Sequence, residues 1–391
     1  MITRNLLDFP HDSSFFLFGP RQTGKTTAIL NYIKDKPHWH ANLLLSRVFN
    51  RYLNDPSLFR DDVLYQIKNN EIKIIFVDEI QKIPPLLDEI HQLIEETKVQ
   101  FIMSGSSARK LKKGAANLLG GRAIVRYLFP LLSYEFFNSD QQYDLQKILQ
   151  YGSLPGIFFN TPDLIIEKLQ SYAEVYLKEE IQQEGLVRNL ANFNRFLEVA
   201  AQHSSELVNY DNIGRESRVS AKTVKAYFEI LSDTLIGHIL PAWELSIRKQ
   251  VALHPKFYFF DNGVNNCLTN SLEGSLHSEL RGKLFEQWII NEVRANLKYR
   301  KLNLQLSFWR TKAGTEVDLI ISKNSNPILA IEIKALKSIA NPHLSGLLSF
   351  REEYPQAKSF LICEELYPRT YKDVEILPWK LFLEKRIFEL L

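Results

Sequence analysis

Cysteine is scarce in this sequence: two among 391 residues, Cys267 and Cys363, far apart and each among apolar neighbours. No disulfide framework or cysteine-built zinc site is indicated by such a pair. Long apolar runs are also lacking. No stretch reaches the ~18 residues that a membrane-spanning helix needs, and Met1 to Asp12 carries no apolar run of the secretory-signal kind. Nor is there an excess of one charge: 48 Lys and Arg stand against 45 Asp and Glu, a net +3 that argues neither for nor against a nucleic-acid partner. These absences point to a reducing cytoplasm and no membrane. What is present, 45% hydrophobic and 24% charged residues, is ordinary for a globular chain. The length allows about two or three domains at ~100–200 residues each.

The most informative segment is Gly19-Pro20-Arg21-Gln22-Thr23-Gly24-Lys25-Thr26-Thr27, which matches the phosphate-cradling pattern G-x-x-x-x-G-K-[ST] without substitution. Phe15 to Phe18 before it has the apolar character of a buried strand, and Thr26 to Lys34 after it reads as a helix. A loop between such elements turns backbone N–H groups and the positive helix end toward one point. Lys25 is placed to reach the β- and γ-phosphates of ATP, and the Thr26 hydroxyl to ligate Mg²⁺.

A second apolar run, Ile74 to Val77, ends in Asp78-Glu79. Acids at the C-terminal end of a parallel strand lie where such sheets bind ligands. Asp78 suits the Mg²⁺ shell and Glu79 suits polarising the attacking water. With the loop and this strand on adjacent strand ends, the two motifs would support each other. Gln100 to Met103 is a third strand, running into Ser104-Gly105-Ser106-Ser107. Ser106 could sense the γ-phosphate or the water there; a plain Ser-rich turn is the alternative. Arg122 follows Gly120-Gly121. Near the catalytic face it would supply charge in trans to a neighbouring subunit; a solvated surface arginine is the competing reading.

Together GPRQTGKTT, IIFVDEIQKIP, FIMSGSS and LLGGRAIVRYLFPLLSYEFF resemble one family of prokaryotic AAA-type P-loop ATPases fused to a C-terminal domain described only as of unknown function. The resemblance spans essentially the whole chain. It implies an α/β ATPase core to about residue 135, then a helical lid including residues 151–156 and a helix from Asp163 to Glu184, and a homo-oligomer, with a hexamer as one candidate.

Between residues 186 and 262, Phe193–His203, Asp211–Glu216 and Lys222–Leu231 read as short helices, the last with Ser220 as its N-cap. Val224, Tyr227, Phe228 and Leu231 follow the 3.6 period and face inward, leaving Lys222 and Lys225 outside. With an extended Phe257–Phe260 and a turn at Asp261-Asn262-Gly263, this is a winged helix-turn-helix pattern suited to DNA, with Arg215 and Arg218 toward phosphates. A scaffold that only packs domains together fits the same pattern.

From residue 264 a second constellation appears. Glu286 lies in a helix from Glu279 to Leu297 with Ile289, Ile290 and Val293 on its face. Asp318 sits in the strand Glu316 to Ile321, and Glu332 and Lys334 share one face of the strand Ile328 to Lys334, about 7 Å apart. Helix-Glu, strand-Asp, strand-Glu-x-Lys looks like the PD-(D/E)XK nuclease-like fold. That likeness implies Mg²⁺ or Mn²⁺ on Glu286, Asp318 and Glu332, with Lys334 stabilising charge at the scissile phosphate. An inactive version that binds nucleic acid or a partner is the alternative. The expected boundaries are residues 1–185 for ATPase core and lid, 186–262 for the winged helix and 264–391 for the nuclease-like domain. The function expected is ATP-driven DNA processing; the rival is a nucleotide-controlled switch acting on protein or RNA.

Overall fold

The computed structural model describes residues 4, 8–107, 118–137, 143–176, 189–244 and 254–390. These form two compact units: residues 4–130 with 233–236, and residues 131–232 with 237–391.

The first unit is built on a five-stranded sheet in the order β2-β3-β4-β1-β5, with β1 Ser14–Phe18, β2 His38–Asn42, β3 Ile74–Asp78, β4 Gln100–Gly105 and β5 Ala123–Tyr127. All pairings are parallel. Parallel strands are covered on both faces and so become uniformly apolar; β1 (SFFLF) and β3 (IIFVD) are buried at every position. Phe16, Phe18, Val77 and Met103 belong to one core, and Phe15, Leu17, Phe76 and Ile102 to another. Helices α1 (Lys25–Ile33), α2 (Ser46–Asn54), α3 (Ser57–Asn70) and α4 (Leu86–Glu96) connect the strands. The loop strand and the acidic strand are not neighbours, as the sequence reading had them: β4 lies between β1 and β3. The reason is long-range pairing, which no local pattern encodes.

The second unit begins with α5 (Ser133–Phe137), α6 (Leu145–Tyr151), α7 (Pro155–Phe158) and α8 (Pro162–Ser171), which runs on as a π-helical turn from Tyr172 to Tyr176. The expected continuation of that helix from residue 177 to Glu184 lies outside the described residues. Next come α9 (Leu190–Gln202), α10 (Tyr210–Ser217) and α11 (Ala221–Asp233), then an antiparallel pair, β6 (Gly237–Leu240) and β7 (Lys256–Phe259). Ser220 Oγ accepts from Thr223 N at 3.2 Å, the N-cap its position suggested. Asp261-Asn262-Gly263 is not the expected turn: Asp261 caps a further helix, α12 (Asn262–Leu268), accepting from Val264 N at 3.2 Å.

The remainder is a six-stranded sheet in the order β12-β13-β11-β10-β9-β8, with the 22-residue α13 (Ser278–Tyr299) contributing Phe285, Trp288, Ile289 and Val293 to the same core as Leu319, Ile331 and Phe360. The strands are β8 Gln305–Arg310, β9 Glu316–Lys323, β10 Asn326–Ile333, β11 Lys358–Cys363, β12 Arg369–Tyr371 and β13 Val374–Pro378; α14 (Ser345–Glu353) precedes β11.

The grouping departs from the expected boundaries. Residues 131–176, expected with the ATPase core, belong to the same unit as everything after 237. Specific polar bonds explain why. Asp261 Oδ2 accepts from Ser153 N at 2.8 Å, Asn266 donates to the Leu149 and Gln150 carbonyls at 3.0 and 2.8 Å, and Glu292 accepts from both Ser133 N and Ser133 Oγ. A Cβ on Gly152 would lie 2.0 Å from Asp261 Oδ1, and one on Gly263 would lie 2.1 Å from the Tyr151 carbonyl. Two glycines let these backbones cross at contact distance.

Candidate functional site

In the first unit the loop leaving β1 enters α1 through Gly24, whose φ of 88° is in the left-handed region, as is that of Gln22 at 63°. Thr23, wholly buried, ties the loop by donating to Pro20 O at 2.9 Å. Gly19 cannot carry a side chain: its Cβ would lie 2.3 Å from Leu128 O. Lys25 Nζ donates to the Gly19 and Pro20 carbonyls at 2.8 and 3.0 Å, so its ammonium lies inside the loop. Arg21 and Gln22 are half-buried along the loop, whereas Thr27 is exposed on α1.

Thr26 Oγ1 donates to Asp78 Oδ2 at 2.9 Å, bringing the two expected Mg²⁺ ligands into contact. Asp78 is 1% exposed, and Ser104 Oγ bonds its other oxygen. His40 Nε2, from β2, stands 3.7 Å from Oδ2 with its ring stacked on Phe76. Burial alone would raise this carboxyl; His40, Ser104 and Thr26 outweigh it and hold Asp78 below the ordinary range. A buried, ionised carboxylate touching a hydroxyl beside an amide-lined loop is the donor set that Mg²⁺ with a nucleotide takes, one or two oxygen ligands plus phosphates. The residues fit.

Glu79 has a φ of 61°, a left-handed conformation for a side chain-bearing residue, immediately after β3. Its carboxylate accepts from Gln81 Nε2, which also donates to Ser106 Oγ at 3.0 Å. Ser106 therefore acts on Glu79 through Gln81, while Ser104 holds Asp78 and accepts from Glu79 N at 3.2 Å. His40, Gln81 and Ser104 were missed in the sequence. Only Ser104 carried a signal, being the first polar residue after an apolar strand.

The expected place of Arg122, near the catalytic face of its own sheet, is corrected. The residue precedes β5, and β5 is parallel to β1 with Ser14 opposite Ala123 and Phe18 opposite Tyr127. Arg122 thus lies at the far edge of the sheet from the loop after Phe18, paired with Glu95. It lines a cleft of about 1190 Å³ with His11, Lys36 and Glu96, on the side away from the chemistry.

In the second unit Glu286, Asp318, Glu332 and Lys334 do converge, at one end of β9 and β10 against α13. They are joined by a residue the sequence reading had left out. Lys256, 4% exposed at the start of β7, places its ammonium 3.1 Å from Glu286 Oε1, 3.7 Å from Glu316 Oε2 and 3.9 Å from Asp318 Oδ1. Lys334 Nζ is 2.6 Å from Glu332 Oε1 and 3.5 Å from Asp318 Oδ2. Tyr258 OH donates to Glu286 at 2.6 Å, and Ile333 N to Asp318 at 2.8 Å. Burial and the Asp318 charge push Glu332 up to about 8 against the pull of Lys334, and burial raises Glu286 against Lys256. Both lysines are raised, since four acids outweigh the cost of burial. The expected Mg²⁺ or Mn²⁺ on Glu286, Asp318 and Glu332 does not fit this arrangement. Among the described residues no group of three or more His, Cys, Asp or Glu is disposed to hold a metal; ammonium groups stand between the carboxylates instead.

A parallel sheet whose first strand feeds a phosphate loop, with a buried acid contacting that loop's threonine, is consistent with a P-loop ATPase core. Comparison with known families agrees: residues 11–137 match the model described as AAA domain. Residues 142–274 and 281–382 match two models described as domains of unknown function, DUF8612 and DUF4143. The chain is 26% identical over 344 residues to Uncharacterized protein Rv2008c of Mycobacterium tuberculosis, covering 86% of this chain and 74% of the relative. It is 21% identical to Uncharacterized protein MJ1544 of Methanocaldococcus jannaschii, covering 81% and 73%. A crystal structure of a Signal Transduction ATPase with Numerous Domains (STAND) protein from Pyrococcus horikoshii shares 12% identity over 74% of this chain and 45% of its own; the TM-score of 0.23 defines no shared fold. Among the described residues no helix is long and apolar enough to cross a membrane.

Proposed function

We propose that this protein is an oligomeric ATPase that grips DNA, and that its C-terminal centre binds rather than cuts. The Thr26–Asp78 contact carries the ATPase assignment. Bound Mg²⁺ would supply charge neutralisation at the β- and γ-phosphates. The chain's own residues do the rest. Loop amides and Lys25 hold the triphosphate, Thr26 and Asp78 hold the ion, and Glu79, restrained by Gln81, orients and polarises water.

Three helices followed by the β6–β7 ribbon support a winged-helix reading of residues 190–259. On α11 the buried face is Val224, Tyr227, Phe228 and Leu231, while Lys222 and Lys225 are exposed, with Arg215 and Arg218 exposed just before them. Exposed cations at the N-terminal turns of a helix next to a ribbon are suited to phosphates flanking a groove. The helix-Glu, strand-Asp, strand-Glu-x-Lys order with a mixed six-stranded sheet supports a nuclease-like C-terminal domain. The Lys256 ammonium among its acids favours the non-cleaving form over a metal-dependent nuclease, and so favours a nucleotide-controlled switch over a cutting machine.

The deciding experiment measures ATP turnover with duplex, single-stranded and branched DNA at low salt, alongside cleavage of the same DNAs with Mg²⁺ or Mn²⁺. Stimulated turnover without cleavage is expected. No binding and no stimulation by any DNA would reject the DNA partner, and cleavage lost in Asp318→Asn would reject the non-cleaving centre.

A further inference from the structure

We propose that Lys256 is the resident cation of the C-terminal carboxylate centre, standing where a divalent ion would, and that removing its charge opens an oxygen-ligand site for Mn²⁺ or Mg²⁺. The inference builds on the non-cleaving reading of this centre but concerns cation binding alone, so it can fail while DNA binding stands.

The geometry carries it. One ammonium lies within 4 Å of oxygens from three acids, Glu286 on α13 and Glu316 and Asp318 on β9. Three acids from two elements converging on one buried cation is the donor class that hard divalent ions select. Lys256 differs from a surface lysine in every respect that matters. Its side chain is 5% exposed, and it enters from β7, a strand outside the sheet that carries Asp318 and Glu332. The tether is rigid: β7 pairs with β6, Lys256 also bridges to Leu207, and its Nζ lies 5.6 Å from the centroid of the Phe308 ring. A cation so fixed cannot follow a substrate as a diffusible ion would.

A second observation points to a ligand. Glu332 is 6% exposed; one oxygen meets Lys334, and Oε2 is buried with no hydrogen-bond partner among the described residues. A buried carboxyl oxygen without a partner is costly, so Glu332 keeps one oxygen that its pair with Lys334 does not use. Four acids face two ammonium groups there. Withdrawing Lys256 would leave Lys334, and the Arg310 guanidinium paired with Glu316, against them, and a divalent ion would take the place of the ammonium that joins Glu286, Glu316 and Asp318.

The test uses the full chain without nucleotide. Mn²⁺ binding is followed by electron paramagnetic resonance of the free ion, and melting temperature is followed with Mn²⁺ or EDTA. Wild type should bind no Mn²⁺ that Asp318→Asn abolishes. Lys256→Met, similar in length and uncharged, should bind one ion per chain at least about 100-fold more tightly than wild type, as expected for an uncompensated carboxylate cluster. Adding Asp318→Asn to Lys256→Met should remove that ion. A Lys256→Met chain that melts higher with Mn²⁺, or folds only with it, supports the proposal equally. Folded Lys256→Met binding no more Mn²⁺ than wild type overturns it. If that variant folds under no condition, the wild-type titration decides: an ion bound by wild type and lost in Asp318→Asn overturns the proposal, and its absence supports it.

Discussion

The two charged centres of this chain solve opposite problems. At the nucleotide loop, Lys25 donates to neutral carbonyls of its own segment, and Asp78 is met by a hydroxyl donor from Thr26. In the C-terminal centre, each carboxylate meets an ammonium from the same chain. The first is arranged for a ligand; the second has supplied its own. Matching residue types thus do not define matching chemistry. Glu, Asp and Lys in nuclease-like order are present, and a lysine from outside that order stands among them.

The sharpest way to break this comparison is at the loop. Lys25→Ala should weaken ATP binding on the order of 100-fold, from losing charge-assisted bonds worth ~1.5–3 kcal/mol each, read by nucleotide titration. Glu79→Gln should keep affinity and slow hydrolysis ~10²-fold or more, trapping the ATP state. Equal loss of affinity in both would erase the division of labour between them.

A second comparison sets Glu292, buried and with no cationic partner among the described residues, against the paired acids. Burial pushes it from the ordinary 4.5 up to about 7, against its bonds from Ser133. A carboxyl whose folded value is raised stabilises below its unfolded value and loses that contribution as pH rises toward the folded one. From pH 5 to 8, wild type should lose roughly 3 kcal/mol relative to Glu292→Gln, measured by urea unfolding at each pH. Parallel pH curves for the two proteins would contradict it.

Within the lysine centre, Tyr258→Phe removes the donor 2.6 Å from Glu286. It should cost about 1–2 kcal/mol, read as a lower urea midpoint with unchanged slope. The smallest effect belongs to Arg122→Ala. Its exposed pair with Glu95 should contribute within about 0.5 kcal/mol, and turnover of a monomeric preparation should not change. A large loss of turnover confined to an oligomeric preparation would support the in-trans role that the sequence suggested.

What could be read from the sequence divides along the same line. The loop at Gly19–Thr27 and the acids at Asp78-Glu79 were legible because each is contiguous and sits at a strand end. Helices in the middle segment were legible to within a few residues from period and cap, as at Ser220. The insertion of β4 between β1 and β3 was not, since it depends on pairing across the chain, and with it went the roles of Ser104 and His40. Lys256 was hidden for the same reason: it stands 30 residues before Glu286, ahead of an aromatic run, with nothing local to mark it. The boundary near residue 131 was obscured because side-chain bonds such as Asp261 to Ser153 join segments that look separate in order.

That Asp261 joint has a consequence for anyone dissecting the molecule. One acid cements two stretches more than a hundred positions apart, where neither flanking glycine tolerates even a methyl group. A fragment ending anywhere between them would expose a mating surface that only the missing piece can cover, so the helices after Pro130 should be expressed with the C-terminal sheet or not at all.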